Sequence, residues 1–276
     1  MADAAAARPQ PPGGGAPRGR RRSGLVLFLN AGDPSLDVAR RMVLALDEEG
    51  IDWLELAVPF PDSVTDGPII HRSAQRALQA GTDLAATLAL VAELRPRLAH
   101  LRVALLADWR HTVRAIEVDG FLRAGCDGLL LHGVPPRARP GCYERAQRAG
   151  VPIVATCFAG SSPATLEQAA RDATAYLYLA AHLGRGVAAG RPDPARLAPV
   201  VGALRELTSV PIAVGFGIRT SADVRAVRLA GADAAIVGSA AVACVEQALV
   251  ERRDPVGDLR RFVRGLQAPE PGAAGG

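Results

Sequence analysis

Residues 210–240 read VPIAVGFGIRTSADVRAVRLAGADAAIVGSA. Two short apolar runs, Ile212 to Gly215 and Ala234 to Val237, flank a stretch, Ser221 to Ala230, whose apolar residues recur at helical spacing. Thr220 and Ser221 put hydroxyl oxygens where the first amides of a helix lack partners, and Gly231 ends that helix and turns the chain into the next strand. The unit is strand, helix, strand. Near-continuous apolar strands joined by a helix pair in parallel and are covered on both faces.

Outward from this unit the same rhythm repeats. Apolar runs stand at Leu25 to Leu29, Trp53 to Val58, Arg102 to Ala107, Gly128 to His132, Ile153 to Cys157 and Ala175 to Ala180, which with the two above make eight strand candidates. Amphipathic stretches alternate with them at Leu36 to Glu49, Asp83 to Leu94, Val113 to Ala124, Pro136 to Ala149, Pro163 to Asp172 and Pro194 to Leu207, and Ala240 to Glu251 and Pro255 to Leu266 close the chain. The phrases EEGID, RAGCD, RAGVP and LAGAD each end a helix on glycine before a strand. Eight such units over about 250 residues predict an α/β fold, a single (βα)8 TIM barrel with a parallel eight-stranded core, in residues 24–267; a doubly wound open sheet is the alternative. Residues 1–23 form an Arg/Pro/Gly-rich arm and 268–276 a tail, both too poor in core-forming residues to fold.

Composition removes several functions. The formal charge of +4 sits almost entirely in the arm, where Arg8, Arg18, Arg20, Arg21 and Arg22 outweigh Asp3; without interleaved aromatics this argues against a nucleic-acid partner. No run approaches the roughly 20 apolar residues that span a bilayer, so no membrane is expected. Cys126, Cys142, Cys157 and Cys244 form no CxxC pair, which fits reduced thiols in the cytoplasm. All 32 Lys+Arg residues are arginine. A lysine Schiff base and a P-loop are thereby excluded, and carbon-carbon chemistry must run on carboxylates, tyrosines, histidines or a metal.

In a barrel of this kind the site lies at the carboxyl ends of the strands. The stretch WLELAVPFPDSVTDGP, Trp53 to Pro68, puts one acid, Glu55, in the middle of an apolar strand and two more, Asp62 and Asp66, in the loop after it. Period-two alternation puts Trp53, Glu55 and Ala57 on one face, which would bring Glu55 into the barrel mouth. Desolvation there raises a carboxyl toward the range useful for proton transfer at neutral pH, although a strand acid also pairs readily with an arginine. Asp66 precedes Gly67 and suits either a turn or a loop folded over the mouth. Gly215 to Arg219 after strand 7 and Gly238, Ser239 after strand 8 occupy the two loops that hold phosphate in this fold. His132 and His182 follow strands 4 and 6, but without HxH or HxxxH spacing no metal is expected. Tyr176 and Tyr178 are expected to divide between ligand and core, and Phe28 to line an aromatic pocket or pack inside.

These motifs together resemble the tryptophan synthase alpha subunit family, through FLNAGDPS (Phe28 to Ser35), LELAVPFPDSVTDGPII (Leu54 to Ile70), YLYL (Tyr176 to Leu179), GFGI (Gly215 to Ile218) and VGSA (Val237 to Ala240). The likeness covers Leu25 to Leu266. It implies a cofactor-free, cytoplasmic lyase of tryptophan biosynthesis that splits indole-3-glycerol phosphate into indole and glyceraldehyde 3-phosphate, with a tryptophan synthase beta subunit as partner. By resemblance Glu55 is the general acid/base and Asp66 the acid that stabilises the developing indoleninium; Phe28 and Tyr178 line the indole pocket, Gly217, Gly238 and Ser239 cradle the phosphate, and Gly186 binds substrate. The chain departs from the family at Ser63, where a proline is usual, in Gly184 to Val187, which lacks the lid threonine, at the end of strand 3, where Ala107, Asp108 and Trp109 stand in place of the usual Tyr and Asn, and at Gly133, where an Asp is usual. These departures point toward a diverged paralogue, such as a stand-alone indole-releasing lyase of specialised metabolism; a catalytically impaired phosphate-binding barrel serving as a partner subunit, and a phosphosugar isomerase or epimerase, are competing readings.

Overall fold

The computed structural model describes residues 23–63, 66–113, 118–135, 137–181 and 191–268. In chain order it comprises β1 (Leu25–Asn30), α1 (Leu36–Glu48), β2 (Trp53–Ala57), α2 (Pro68–Gln79), α3 (Leu84–Leu94), β3 (Arg102–Asp108), α4 (Val118–Ala124), β4 (Gly128–His132), α5 (Arg139–Arg148), β5 (Ile153–Phe158), α6 (Pro163–Asp172), β6 (Tyr176–Ala180), α7 (Pro194–Leu207), β7 (Ile212–Gly215), α8 (Ser221–Leu229), β8 (Ala234–Val237), α9 (Ser239–Val250) and α10 (Pro255–Gln267). Each strand pairs in parallel with the next, and β8 returns to β1 through Leu25↔Ala235 to Leu27↔Val237, which closes the barrel. The expected (βα)8 barrel is the fold, and the open sheet is not.

Alternate residues of each strand divide between two cores. Leu25, Leu27, Leu29, Leu54, Leu56, Val103 and Leu105 pack outward against the helices, while Val26, Phe28, Trp53, Ala57, Ala104, Leu106, Leu130, Val154, Tyr176 and Ile236 fill the barrel. The inward phase is the one that carries Glu55. Buried acids set the entry to several elements: Asp47, at the end of α1, accepts from the amides of Ala99, His100 and Leu101 and so fixes where β3 starts. Burial works against that charge, but the three amides hold its carboxyl below the usual range.

The structure differs from the sequence reading at a few element ends and in one helix. Strand β1 runs on to Asn30, β3 to Asp108 and β5 to Phe158; α4 is described from Val118 and α5 begins at Arg139, later than expected. Arg137 and Ala138, just before α5, are instead in a turn, with the Ala138 amide donating to the Pro135 carbonyl. Helix α2 has no counterpart in the expectation. Its buried side chains are Ser73, Ala74 and Ala77, too small to write a hydrophobic stripe into the sequence. No single helix among the described residues is long and apolar enough to cross a membrane.

Candidate active site

Glu55 stands in the centre of β2 and is 2% exposed. Its Oε1 accepts a hydrogen bond of 2.6 Å from the hydroxyl of Tyr176, which comes from β6 on the far side of the barrel. Burial pushes the Glu55 carboxyl up to about 7, and the tyrosine hydrogen bond opposes that rise without cancelling it. Among the described residues no arginine is paired with it, and the Trp53 ring lies edge-on to Tyr176 at 5.0 Å between centroids. A carboxyl poised near neutrality both gives and takes a proton at little cost, which is the property general acid/base work needs.

Tyr176 and Tyr178 do not fall on opposite faces of β6. Two residues apart on one strand, they share the inward face at different depths: Tyr176 is buried in the barrel and Tyr178, half-buried, stands nearer the carboxyl end of β6. Burial raises the Tyr178 hydroxyl well above its ordinary value, and the charges of Glu55 and Asp66 add to the rise. Both acids therefore lie within electrostatic reach of one phenol.

Asp66 is half-buried, just ahead of α2. It lines a cavity of about 60 Å³ together with Phe28, Asn30, Ala57, Phe60 and Leu106. Glu55 lies one layer deeper and does not line it. The loop that carries Asp66 is held from the β3 side: Arg110 Nη2 donates to the Asp62 carbonyl at 3.1 Å, and Phe60 stacks on His111 at 6.0 Å and lies against His132 at 5.5 Å. Phe28 is 7% exposed and pairs in register with Glu55 across the β1–β2 ladder.

At the opposite rim, Phe216 and Gly217 both take positive φ, at 74° and 80°. For a phenylalanine this is a costly conformation, and it turns the ring edge-on to Tyr178 at 6.2 Å. The helices after β7 and β8 are finished differently. The start of α8 is closed by a capping box in which Thr220 and Asp223 satisfy each other's amides, and Asp223 also accepts from the Arg219 amide. Gly238 at the start of α9 offers no side-chain cap, so the positive end of that helix faces the mouth through backbone alone. A β-carbon on Gly238 would meet Phe28 Cβ at 3.7 Å, so the open helix end abuts the aromatic wall.

Glu55, Asp66, Phe28, Tyr178, Gly217, Gly238 and Ser239 thus all stand at the carboxyl rim or just beneath it. Gly186, with the rest of the loop after β6, and His182 lie outside the described residues. The sequence reading missed the partner of Glu55 and the place of Phe216; the parity of positions 176 and 178 carries the first, whereas only the backbone reveals the second.

The model of the tryptophan synthase alpha chain family matches residues 16–269. A tryptophan synthase alpha chain of Synechococcus elongatus is 36% identical over 237 residues, 85% of this chain and 88% of that one. One from Gloeobacter violaceus is 35% identical over 254 residues, 90% of each. Among solved structures, tryptophan synthase subunit alpha of Legionella pneumophila superposes with a TM-score of 0.78 at 25% identity, over 88% of this chain and 90% of that one. A chain of the tryptophan synthase complex of Pyrococcus furiosus gives 0.76 at 25% identity, over 88% and 97%. The barrel with its inward strand acid, the acid-bearing loop and the open helix end after β8 are the parts this likeness spans, and the chain belongs to the tryptophan synthase alpha chain family.

Proposed function

We propose that this protein cleaves indole-3-glycerol phosphate to indole and glyceraldehyde 3-phosphate as a step in tryptophan biosynthesis, and that it does so in the cytoplasm with a tryptophan synthase beta subunit as partner. The observation that carries the reading is Glu55: a buried carboxyl near neutrality, at the phase of β2 that faces the barrel interior. In the reaction Glu55 delivers a proton to indole C3 and takes one from the glycerol hydroxyl, so that the bond between the ring and the glycerol carbon breaks and an aldehyde is left. Asp66 supplies the fixed negative charge at the ring N–H as the indoleninium develops. Phe28 and Tyr178 hold the ring, and the amides at Gly217, Gly238 and Ser239 meet the phosphate; Gly186 belongs to the loop expected over the mouth.

Family membership supports the substrate and the partner, the solved Pyrococcus furiosus relative being a tryptophan synthase complex. Four unpaired cysteines support the compartment. The catalytic barrel is assigned to residues 24–267, with 1–23 and 268–276 as tails outside it. The test is release of indole from indole-3-glycerol phosphate by the purified chain, with and without a beta subunit. Glu55→Gln is expected to lower kcat by about 10²–10⁴. Absence of indole under both conditions sinks the proposal.

A further inference from the structure

The two ends of the site are carried by two helices that the barrel repeat alone does not require: α2 begins two residues after Asp66, and α9 begins at the open glycine Gly238. On their far sides these helices are joined. Glu246, on α9, accepts from Arg72 Nε at 2.9 Å and Nη2 at 2.7 Å, and from Arg76 Nη1 at 2.8 Å, both arginines lying on α2. Arg76 turns its other edge to Asp33, in the loop after β1, with Nε to Oδ1 at 2.7 Å and Nη2 to Oδ2 at 2.9 Å. Asp33 also accepts from Ser73 Oγ, which in turn accepts from Asn30 Nδ2 at 2.9 Å; the same amide reaches the Ile70 carbonyl at 3.4 Å.

This is more than a surface ion pair. Asn30, Asp33 and Ser73 are each buried, and the Arg76 fork holds one acid from the β1 loop and one from α9 at the same time. Two-pronged charged hydrogen bonds fix angle as well as distance, which single exposed pairs do not. The hydrogen bonds of Arg72 hold the Glu246 carboxyl down to about 2, against the rise that burial would give, so Glu246 stays charged across the neutral range.

We propose that Arg76, with Arg72 and Glu246, is a positioning group for the reaction: by joining the middles of α2 and α9 it holds the two helices, and with α2 the preceding Asp66, at a fixed offset from each other. The phosphate end of the substrate then sets where the loop acid meets the ring. This rests on the assignment of Asp66 and the α9 amides to one substrate. A clamp that served stability alone would lower the unfolding midpoint and leave the kinetics of the folded protein unchanged.

The full chain, Glu246→Gln, Arg72→Gln and Arg76→Lys are compared by amide hydrogen exchange with and without glycerol 3-phosphate, and by indole release. In the unaltered chain glycerol 3-phosphate slows exchange in the first turns of both α9 and α2. In Glu246→Gln, which keeps the side-chain shape, α9 still responds and α2 no longer does, while kcat falls at least about tenfold and KM moves less than about threefold. Arg76→Lys keeps the charge but not the fork and recovers only part of kcat. An α2 that ignores the ligand in the unaltered chain, a response that survives in Glu246→Gln, or an unchanged kcat overturns the proposal. Failure of the unaltered chain to release indole counts against the assigned reaction instead, and the exchange measurement still decides the coupling.

Discussion

The hydroxyl of Tyr178 occupies the space that a side chain on Gly215 would need: a β-carbon there would stand 2.3 Å from the phenol oxygen. The two residues sit on neighbouring strands β6 and β7, and the missing side chain leaves room for the hydroxyl end of the ring. Gly215→Ala is therefore expected to push Tyr178 into the indole pocket. Overpacking of this kind costs about 1–3 kcal/mol, so an indole-bearing ligand should bind roughly tenfold more weakly while glycerol 3-phosphate binds as before. Calorimetric titration with both ligands checks it; equal loss for both would place the effect elsewhere.

Glu55 should leave a signature in stability. Its carboxyl is raised by burial to about 7 in the folded chain, so between its unfolded value of 4.5 and about pH 7 the native state holds the proton that the unfolded state has lost. The contribution is present at low pH and is lost as pH rises through that window. Glu55→Gln, which cannot ionise, should exceed the unaltered protein in stability at pH 8 by on the order of 2–3 kcal/mol and match it near pH 4.5. Urea unfolding at the two pH values measures the difference.

Tyr176 acts on Glu55 in the opposite sense to burial, because its hydrogen bond favours the ionised carboxylate. Tyr176→Phe should move the Glu55 titration above 7, and the neutral-range inflection in kcat/KM should move with it. A carbon-labelled glutamate followed by NMR reports the first, and steady-state rates across pH the second. A titration that stays in place would show the hydrogen bond to be unimportant for proton transfer.

In the proposed reaction Asp66 acts through its charge rather than by moving a proton. Asp66→Asn keeps size and removes the negative charge, so kcat should fall about 10²-fold or more, with a smaller change in KM. Single-turnover rates on saturating substrate separate the chemical step from binding. An unaffected chemical step would reduce Asp66 to a loop-shaping residue.

Much of the fold was legible because the strands are apolar on both faces and four helices end on a glycine before the next strand. Ile212–Gly215 and Ala234–Val237 are recognisable for that reason. Helix α2 was not, because its contact with the barrel is made by Ser73, Ala74 and Ala77, and its remaining specificity lies in charges paired to residues more than a hundred positions away, such as Glu246. Glu55 was legible as an acid that burial must perturb. Its partner Tyr176 required counting by twos along β6, and the network of Asp33, Arg76 and Glu246 required knowing which helices touch. Periodicity reports a residue's face, not the identity of what it faces.

The hydrogen bond from Tyr176 to Glu55 joins residues 121 positions apart, across strands that are not neighbours in the sheet. During synthesis the acid leaves the ribosome long before the tyrosine, and until β6 is in place the carboxyl is an ordinary hydrated glutamate. Its altered acidity thus belongs to the completed ring of strands and to no fragment of it. A nascent or truncated chain ending before β6 carries the acid but lacks its phenol, so half-made copies do not hold the carboxyl in the setting of the finished protein.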